Sequence, residues 1–393
     1  MDTVSLYIHI PFCRAKCAYC DFNSYPGLDH LFERYGRALQ REMRWLGRKR
    51  SLKADTIYLG GGTPTVLPLA LLGEVLDACR EHFTIAEGAE ITVEANPGTV
   101  DGDYLAGLRE IGVNRLSLGV QSFCDDELRL LGRIHTAAQA IETCHLARET
   151  GFGNVNLDLI YGLPRQTLSD WQAIRPCSWQ ATLQQAIHLR PDHLSLYCLS
   201  VEEGTPLERR IARRELPAPD PDRAAEMYTL AEEALDRAGY VHYEISNWAQ
   251  PGHECRHNLT YWRNRSYLGL GAGAHSYFDQ KRWYNILSPA EYITRLEADW
   301  QRPFPPAVEE VEEIGEVLEM AETMILGLRL VQEGVRLADF RERFGRELMA
   351  VYGREIREME QAGLLEVDGE RVRLTARGRL LGNEVFQQFL PHQ

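Results

Sequence analysis

This 393-residue chain has no run of about 18 apolar residues, so its sequence predicts no membrane-spanning helix. The opening Met1-Asp2-Thr3-Val4-Ser5 has neither a basic segment nor a long apolar core. That excludes a secretion signal and implies a protein that folds and stays in the cytosol. Positive charge is in deficit: 43 Lys and Arg against 57 Asp and Glu leave a net charge of −14. A general nucleic-acid binder is therefore not expected, and anionic lipid is repelled by the mean field. Cysteine is sparse. Nine in so long a chain, an odd count without a signal, argue against a disulfide framework. Six are scattered, at Cys79, Cys124, Cys144, Cys177, Cys198 and Cys255; three are bunched at Cys13, Cys17 and Cys20. Bunching in a reducing compartment points to metal.

What remains is an ordinary globular composition, 44% hydrophobic and 25% charged, on a length suited to two or three domains. Strand-like runs lie at Ser5–Ile10, Thr56–Leu59, Glu90–Ala95, Arg115–Gly119, Asn154–Ile160 and His193–Leu199. Helical patterns fall between them, at Phe32–Arg48, Leu69–His82, Asp103–Ile111, Ala137–Thr150 and Leu183–Leu189. Such alternation predicts an α/β fold, a parallel (β/α)6 partial barrel with its chemistry at the C-terminal strand ends. Asp170-Trp171-Gln172-Ala173 is echoed by Ser178-Trp179-Gln180-Ala181 across Pro176, which reads as a local insertion. Proline-rich breaks at Leu216–Pro221 and Arg302–Pro306 suggest a barrel over 1–215, a flanking aromatic and glycine-rich segment over 216–305, and a C-terminal domain over 306–393. The last is expected to open on an acidic helical run from Glu309. It continues as helix, helix, helix and a hairpin turning at Asp368-Gly369, a winged-helix pattern serving packing or a partner.

The first chemical motif is Cys13-Arg14-Ala15-Lys16-Cys17-Ala18-Tyr19-Cys20, directly after a strand. Three thiolates in one loop can hold three irons of a cubane and leave the fourth open to a small molecule. A structural zinc wants four protein ligands, and no second cysteine pair exists. The second motif, Gly60-Gly61-Gly62-Thr63-Pro64, permits close backbone approach to a ligand. Glu94, Gln121, Arg133 and Asp158 are polar residues at later strand ends, where Asp158 sits in an apolar run and needs partners.

The C-x3-C-x2-C loop resembles the radical-SAM superfamily, and the resemblance implies a [4Fe–4S] cluster that reduces S-adenosylmethionine. With His9-Ile10-Pro11-Phe12-Cys13, Gly119-Val120-Gln121-Ser122 and Asp158-Leu159-Ile160-Tyr161-Gly162-Leu163-Pro164, nearly the whole chain is similar to the HemN/HemW family of oxygen-independent coproporphyrinogen III oxidases and heme chaperones. That family implies iron ligation by Cys13, Cys17 and Cys20. It implies cofactor contacts at Tyr7, Tyr19, Gly61, Gly62, Thr63, Glu94, Gln121, Arg133 and Asp158.

Two departures argue against decarboxylation. The oxidases resemble C-x3-C-x2-C-x-C, and here that last position is Phe22; they also carry a substantial extension before the cluster, and here the first ligand is residue 13. His257-Asn258-Leu259-Thr260-Tyr261-Trp262 resembles the H-N-x-x-Y-W motif of the heme chaperones, which implicates His257 in heme handling. A neutral imidazole ligates iron well, and Tyr261 and Trp262 could stack on a porphyrin. Cys255, His275 and His253 are further candidate ligands. Arg209, Arg210, Arg213 and Arg214 could meet propionates, against the plainer reading of a solvated charged helix. The resemblance implies a heme chaperone that passes heme to a respiratory acceptor protein at the membrane. The alternatives are coproporphyrinogen decarboxylation or another radical-SAM reaction; a homodimer is left open.

Overall fold

Six of the β-rich runs form six parallel strands: β1 (Asp2–Ile10), β2 (Leu52–Gly61), β3 (Thr84–Ala95), β4 (Arg115–Gln121), β5 (Val155–Tyr161) and β6 (His193–Cys198), adjacent in that order. They belong to a computed structural model that describes residues 2–49, 51–169, 177–298 and 304–391. Helices cover the outside: α1 (Phe32–Lys49), α2 (Leu69–His82), α3 (Gly102–Glu110), α4 (Asp125–Leu131), α5 (Ala137–Glu149), α6 (Trp179–His188), α7 (Pro206–Ala212) and α8 (Pro221–Arg237). The chain is thus a partial (β/α)6 barrel, as its alternation predicted. Leu6, Ile8, Ile57, Leu59, Val93, Leu116, Leu118, Leu157, Leu159, Leu194 and Leu196 point outward into one continuous core under the helices.

The sheet does not stop at six strands. Beyond β6 lie the short antiparallel strands β8 (Asn247–Ala249) and β7 (Val241–Glu244). Between them and the next strand, α9 (Arg256–Trp262) carries the H-N-x-x-Y-W residues. Beyond β1 lie β9 (Tyr267–Leu270), parallel to it, then antiparallel β10 (His275–Phe278), β11 (Lys281–Asn285) and β12 (Val308–Glu313). The acidic run expected to begin a helix at Glu309 is therefore a strand. Two of its glutamates lie opposite basic residues of β11, Glu312 against Arg282 and Glu313 against Lys281. Cross-strand charge pairing here outweighs the weak strand propensity of glutamate. The helix starts only at α11 (Glu316–Gly327), after α10 (Pro289–Glu297) has packed on α1.

Other departures are local. α4 was not anticipated. α6 starts four residues early because Ser178 caps it, accepting from the Ala181 amide. Of the echoed pair, Ser178–Ala181 is thus the first turn of a helix, and Asp170–Ala173 and Pro176 lie outside the described residues. The expectation of no disulfide is corrected: Cys124, before α4, is bonded to Cys177, before α6. A count of cysteines could not show that these two loops return to the same place, 53 residues apart.

The C-terminal unit is winged-helix-like: α11, α12 (Leu337–Phe344) and α13 (Leu348–Gln361) pack on a small sheet of β13 (Val335–Arg336), β15 (Arg371–Leu374) and β14 (Leu365–Val367), followed by α14 (Ala376–Leu380) and α15 (Gly382–Phe386). Met324, Leu328, Phe340, Leu348, Ile356, Val372 and Phe389 give it a core of its own. It docks through the Arg263–Glu333 ion pair and through Arg343, which donates to the Asn264 carbonyl at 2.9 Å. Main-chain bonds from the Ile245 amide to the Arg329 carbonyl and from the Val331 amide to the Tyr243 carbonyl add to the joint.

One buried carboxylate ties the β9–β10 turn to the barrel. Glu42 on α1 accepts from the Gly271 amide at 2.9 Å, Asn285 Nδ2 at 2.7 Å and the Tyr292 hydroxyl at 2.5 Å. Burial pushes its carboxyl up to about 7. Glu42→Ala strands three buried donors, and the expected loss is about 3 kcal/mol in a urea melt, with Glu42→Gln losing much less because an amide oxygen still accepts. An alanine variant within about 0.5 kcal/mol of wild type would show that the knot is not structural.

Candidate cluster and cofactor site

The barrel interior is polar because one side of every strand alternates polar with apolar. Tyr7 and His9 face inward from β1, Thr56 and Tyr58 from β2, Glu90 and Glu94 from β3, Ser117 from β4, Asn156 and Asp158 from β5, and His193 and Ser195 from β6. Their hydrogen bonds to one another, and those of Thr56 and Glu90 to His257 on α9, fix that assignment. At the C-terminal strand ends they open into a cavity of about 380 Å³ lined by all three clustered cysteines, Tyr19, Gly61, Gly62, Thr63, Glu94, Gln121, Arg133 and Asp158. Of the residues the sequence assigned to iron and cofactor, only Tyr7 and His257 are absent from that lining. Tyr7 lies one layer below, its hydroxyl donating to His9 Nδ1 at 3.0 Å.

The cysteine loop is held by backbone, not by its thiols. The Ala18 amide donates to the Leu131 carbonyl, the Leu207 amide to the Ala18 carbonyl, and the Tyr25 amide to the Pro11 carbonyl. Lys16 Nζ closes the loop on the Phe22 and Ser24 carbonyls. The thiols keep polar neighbours: Cys13 Sγ is 3.7 Å from Thr63 Oγ1, Cys20 Sγ 3.9 Å from Ser24 Oγ, and Arg133 Nη1 donates to Cys17 Sγ at 3.3 Å. Among the described residues, no three His, Cys, Asp or Glu side chains converge on one point as a single ion requires. A cubane makes a different demand, one thiolate to each of three irons, and a loop of three cysteines with no fourth suits it. Where a fourth cysteine would sit, Phe22 is 65% exposed.

The glycine strip is explained by close approach. Gly61 has φ +110°, and a Cβ on it would lie 2.4 Å from the His9 ring; a Cβ on Gly62 would lie 2.5 Å from the Phe12 carbonyl. The strip is stitched to the cysteine loop by the Gly62 amide on the Ile10 carbonyl and the Thr63 amide on the Phe12 carbonyl. Glu94 accepts from the Gly61 amide at 3.1 Å and from the Tyr58 hydroxyl at 2.8 Å. Burial lifts its carboxyl to about 7. Asp158, also raised by burial, accepts from Ser117 and Asn156. Burial opposes charge on Arg133, and Tyr19 and Cys17 more than offset it; the guanidinium also reaches Asn96 and the Gly119 carbonyl. Gln121, at φ +67°, ends β4 in a left-handed conformation that turns the chain at the cavity wall. Tyr58, Asn96, Tyr197, Cys198 and Glu202 also line the cavity and were not singled out from sequence.

The chain is similar to known proteins along nearly its whole length. Residues 7–175 match the model of the radical SAM superfamily, and residues 319–381 match the HemN C-terminal domain. Heme chaperone HemW of Mycobacterium tuberculosis is 38% identical over 98% of this chain and 94% of its own length. The chain belongs to the HemN/HemW family of the radical-SAM superfamily. The Bacillus subtilis heme chaperone HemW is 37% identical over 98% of this chain and 99% of its own. Among solved structures, coproporphyrinogen III oxidase (HemN) of Escherichia coli superposes with a TM-score of 0.83 at 26% identity, covering 99% of this chain and 90% of that one. Membership of the superfamily implies a [4Fe–4S] cluster and S-adenosylmethionine. No helix among the described residues is long and apolar enough to cross a membrane.

The residues proposed from sequence for heme lie elsewhere in the fold. His257 is not at the cavity mouth. It is 1% exposed, at the opposite end of the barrel, with both ring nitrogens engaged: Nδ1 with Thr56 Oγ1 at 2.7 Å and Nε2 with the Tyr261 hydroxyl at 2.8 Å. In this conformation it has no lone pair open to an iron. Tyr261 packs edge-on against Tyr267, and one face of Trp262 is covered by the Arg329 guanidinium at 4.4 Å. Cys255 is fully buried against Glu90, and burial pushes its thiol up to about 12. His275 is different. It is exposed at the start of β10, stacked on Tyr284 at 5.2 Å, and the turn before it touches the cysteine loop through Asn23, which donates to the Ala272 and Leu287 carbonyls. Arg209 and Arg210 lie on α7, which the Leu207–Ala18 bond seats on that loop; Arg213 and Arg214 follow it.

Proposed function

We propose that this chain is a heme chaperone. It holds a [4Fe–4S] cluster on Cys13, Cys17 and Cys20 and S-adenosylmethionine in the adjoining cavity. It carries heme and passes it to a respiratory acceptor protein. The carrying observation is likeness to chaperones along the full chain, together with Phe22 at the position where the oxidases have a further cysteine. When bound, the cluster supplies an electron to the cofactor. The chain's own part is positional: Glu94 and the Gly61–Gly62 strip meet a cationic amine, Asp158 and Gln121 face the rest of the cofactor, and Arg133 steadies both Cys17 and Asn96. Buried His257 fits an iron ligand poorly. We infer that heme is received at the cluster-end rim, with His275 as the candidate ligand. Its exposure and its stack on Tyr284 support that reading, as does exposed Leu287 in the neighbouring loop.

An anaerobic absorption titration of the cluster-loaded protein with heme tests this. Wild type and His257→Ala are expected to saturate near one heme per chain, and His275→Ala to bind about tenfold more weakly or worse. Normal saturation in His275→Ala with loss in His257→Ala would restore His257 as the ligand. No saturable binding in wild type would overturn the chaperone reading and leave decarboxylation of a porphyrinogen, which product formation would detect.

A further inference from the structure

We propose that His257 is a positioning residue for the cofactor cavity: it forms the floor on which Tyr58 rests, and through Tyr58 it sets the carboxylate of Glu94. This rests on the cavity being the S-adenosylmethionine site. The two ends of the barrel are joined by a short column of side chains. Glu94 in the cavity accepts from the Tyr58 hydroxyl at 2.8 Å. The Tyr58 ring lies on the His257 imidazole at 5.1 Å between centroids and 29° between planes. Gly60 leaves room for it, since a Cβ there would come within 2.8 Å of the Tyr58 ring. Below, the imidazole is fixed by hydrogen bonds at both nitrogens and by its own amide, which donates to Glu90 at 3.0 Å.

The chemistry suits a floor. A ring that must lie flat under a tyrosine inside a closed core should be neutral, and burial with Arg115 nearby holds His257 far below the ordinary range, near 3. Thr56 and Tyr261 fix its rotation, so a helix from the second half of the chain sets the tilt of a ring on β2. The groups facing Glu94 are Tyr58, Asp158, Arg115 and the Gly61 amide, with Tyr7, Tyr197 and Tyr261 further off. Of these, Tyr58 makes the hydrogen bond that most favours the carboxylate. Losing its alignment disfavours the charge a cationic cofactor needs.

The test is S-adenosylmethionine binding to the full-length, cluster-loaded protein, measured by equilibrium dialysis from pH 5.5 to 8.5 and paired with a heme titration. Tyr58→Phe is expected to weaken binding about tenfold at neutral pH and to move the pH midpoint up by about one unit. His257→Ala is expected to do the same with heme saturation intact, and the double variant to be no worse than either alone. Should the alanine variant not fold, Tyr261→Phe, which frees one imidazole nitrogen, is expected to shift the midpoint in the same direction by less. A purely structural His257 would lower the melting temperature and leave the midpoint in place. That result, or additive effects of His257→Ala and Tyr58→Phe, would overturn the proposal. Failure of S-adenosylmethionine to bind wild type at any pH would instead overturn the site assignment beneath it.

Discussion

Replacing Cys17 with alanine leaves the reconstituted protein without a cluster. Each of the three thiolates has one iron to hold, and with the fourth iron already open, two anchors do not retain a cubane. Bound iron and acid-labile sulfide are expected to fall to background in Cys13→Ala, Cys17→Ala and Cys20→Ala alike. The fold should not follow, because the loop is fastened by main-chain bonds from Ala18, Thr63 and Tyr25 and by Lys16. Circular dichroism and thermal melts of the unloaded variants should overlay wild type. Cys198→Ala is the control: its thiol is exposed and lines the same cavity, yet it lies outside the loop. Iron content unchanged in Cys17→Ala, or lost in Cys198→Ala, would sink the three-cysteine assignment.

The second large effect concerns Glu94. A carboxyl lifted to about 7 carries no charge below that pH, whereas a solvated glutamate stays ionised down to about 4. A cationic ligand needs the charged form. The apparent affinity for S-adenosylmethionine is therefore highest above pH 7 and falls as pH falls, by about tenfold per unit below the midpoint. Glu94→Gln keeps an acceptor for Tyr58 but no charge. Its binding is expected to be about 100-fold weaker at pH 8, the scale of one lost buried charge-assisted bond, and flat with pH. Wild-type affinity that does not change between pH 6 and 8 would remove Glu94 from the cofactor's contacts.

The cluster loop, the glycine strip and the strand-end residues were legible because they are contiguous motifs at the ends of elements with a clear period. The inward side of β1 and β2 is written in the sequence too: Ser5, Tyr7, His9 and Thr56, Tyr58, Gly60 repeat at two residues, which is the strand period itself. Two findings could not be had from local pattern. The seat of α9 at the floor depends on the Glu90 carboxylate, 167 residues from the His257 amide it receives. The acidic segment 308–313 becomes a strand only because β11 offers Lys281 and Arg282 opposite it. In both, tertiary partners overrode what neighbours in sequence suggested.

The long sheet has two ends, and each end is a row of main-chain groups that could recruit another chain. The molecule guards them by different means. At β12, exposed Glu309, Glu310, Glu312 and Glu313 line the edge strand with charged side chains, three of them already ion-paired, which an incoming strand would have to pack beside. At β7, the guard is backbone: Val331 and Arg329, from the segment joining α11 to β13, bond to Tyr243 and Ile245. The first guard travels with the barrel wherever it goes. The second lasts only while the C-terminal unit stays seated, so a movement that lifted this unit to admit a partner would uncover a sticky edge, and self-association would compete with the partner for it.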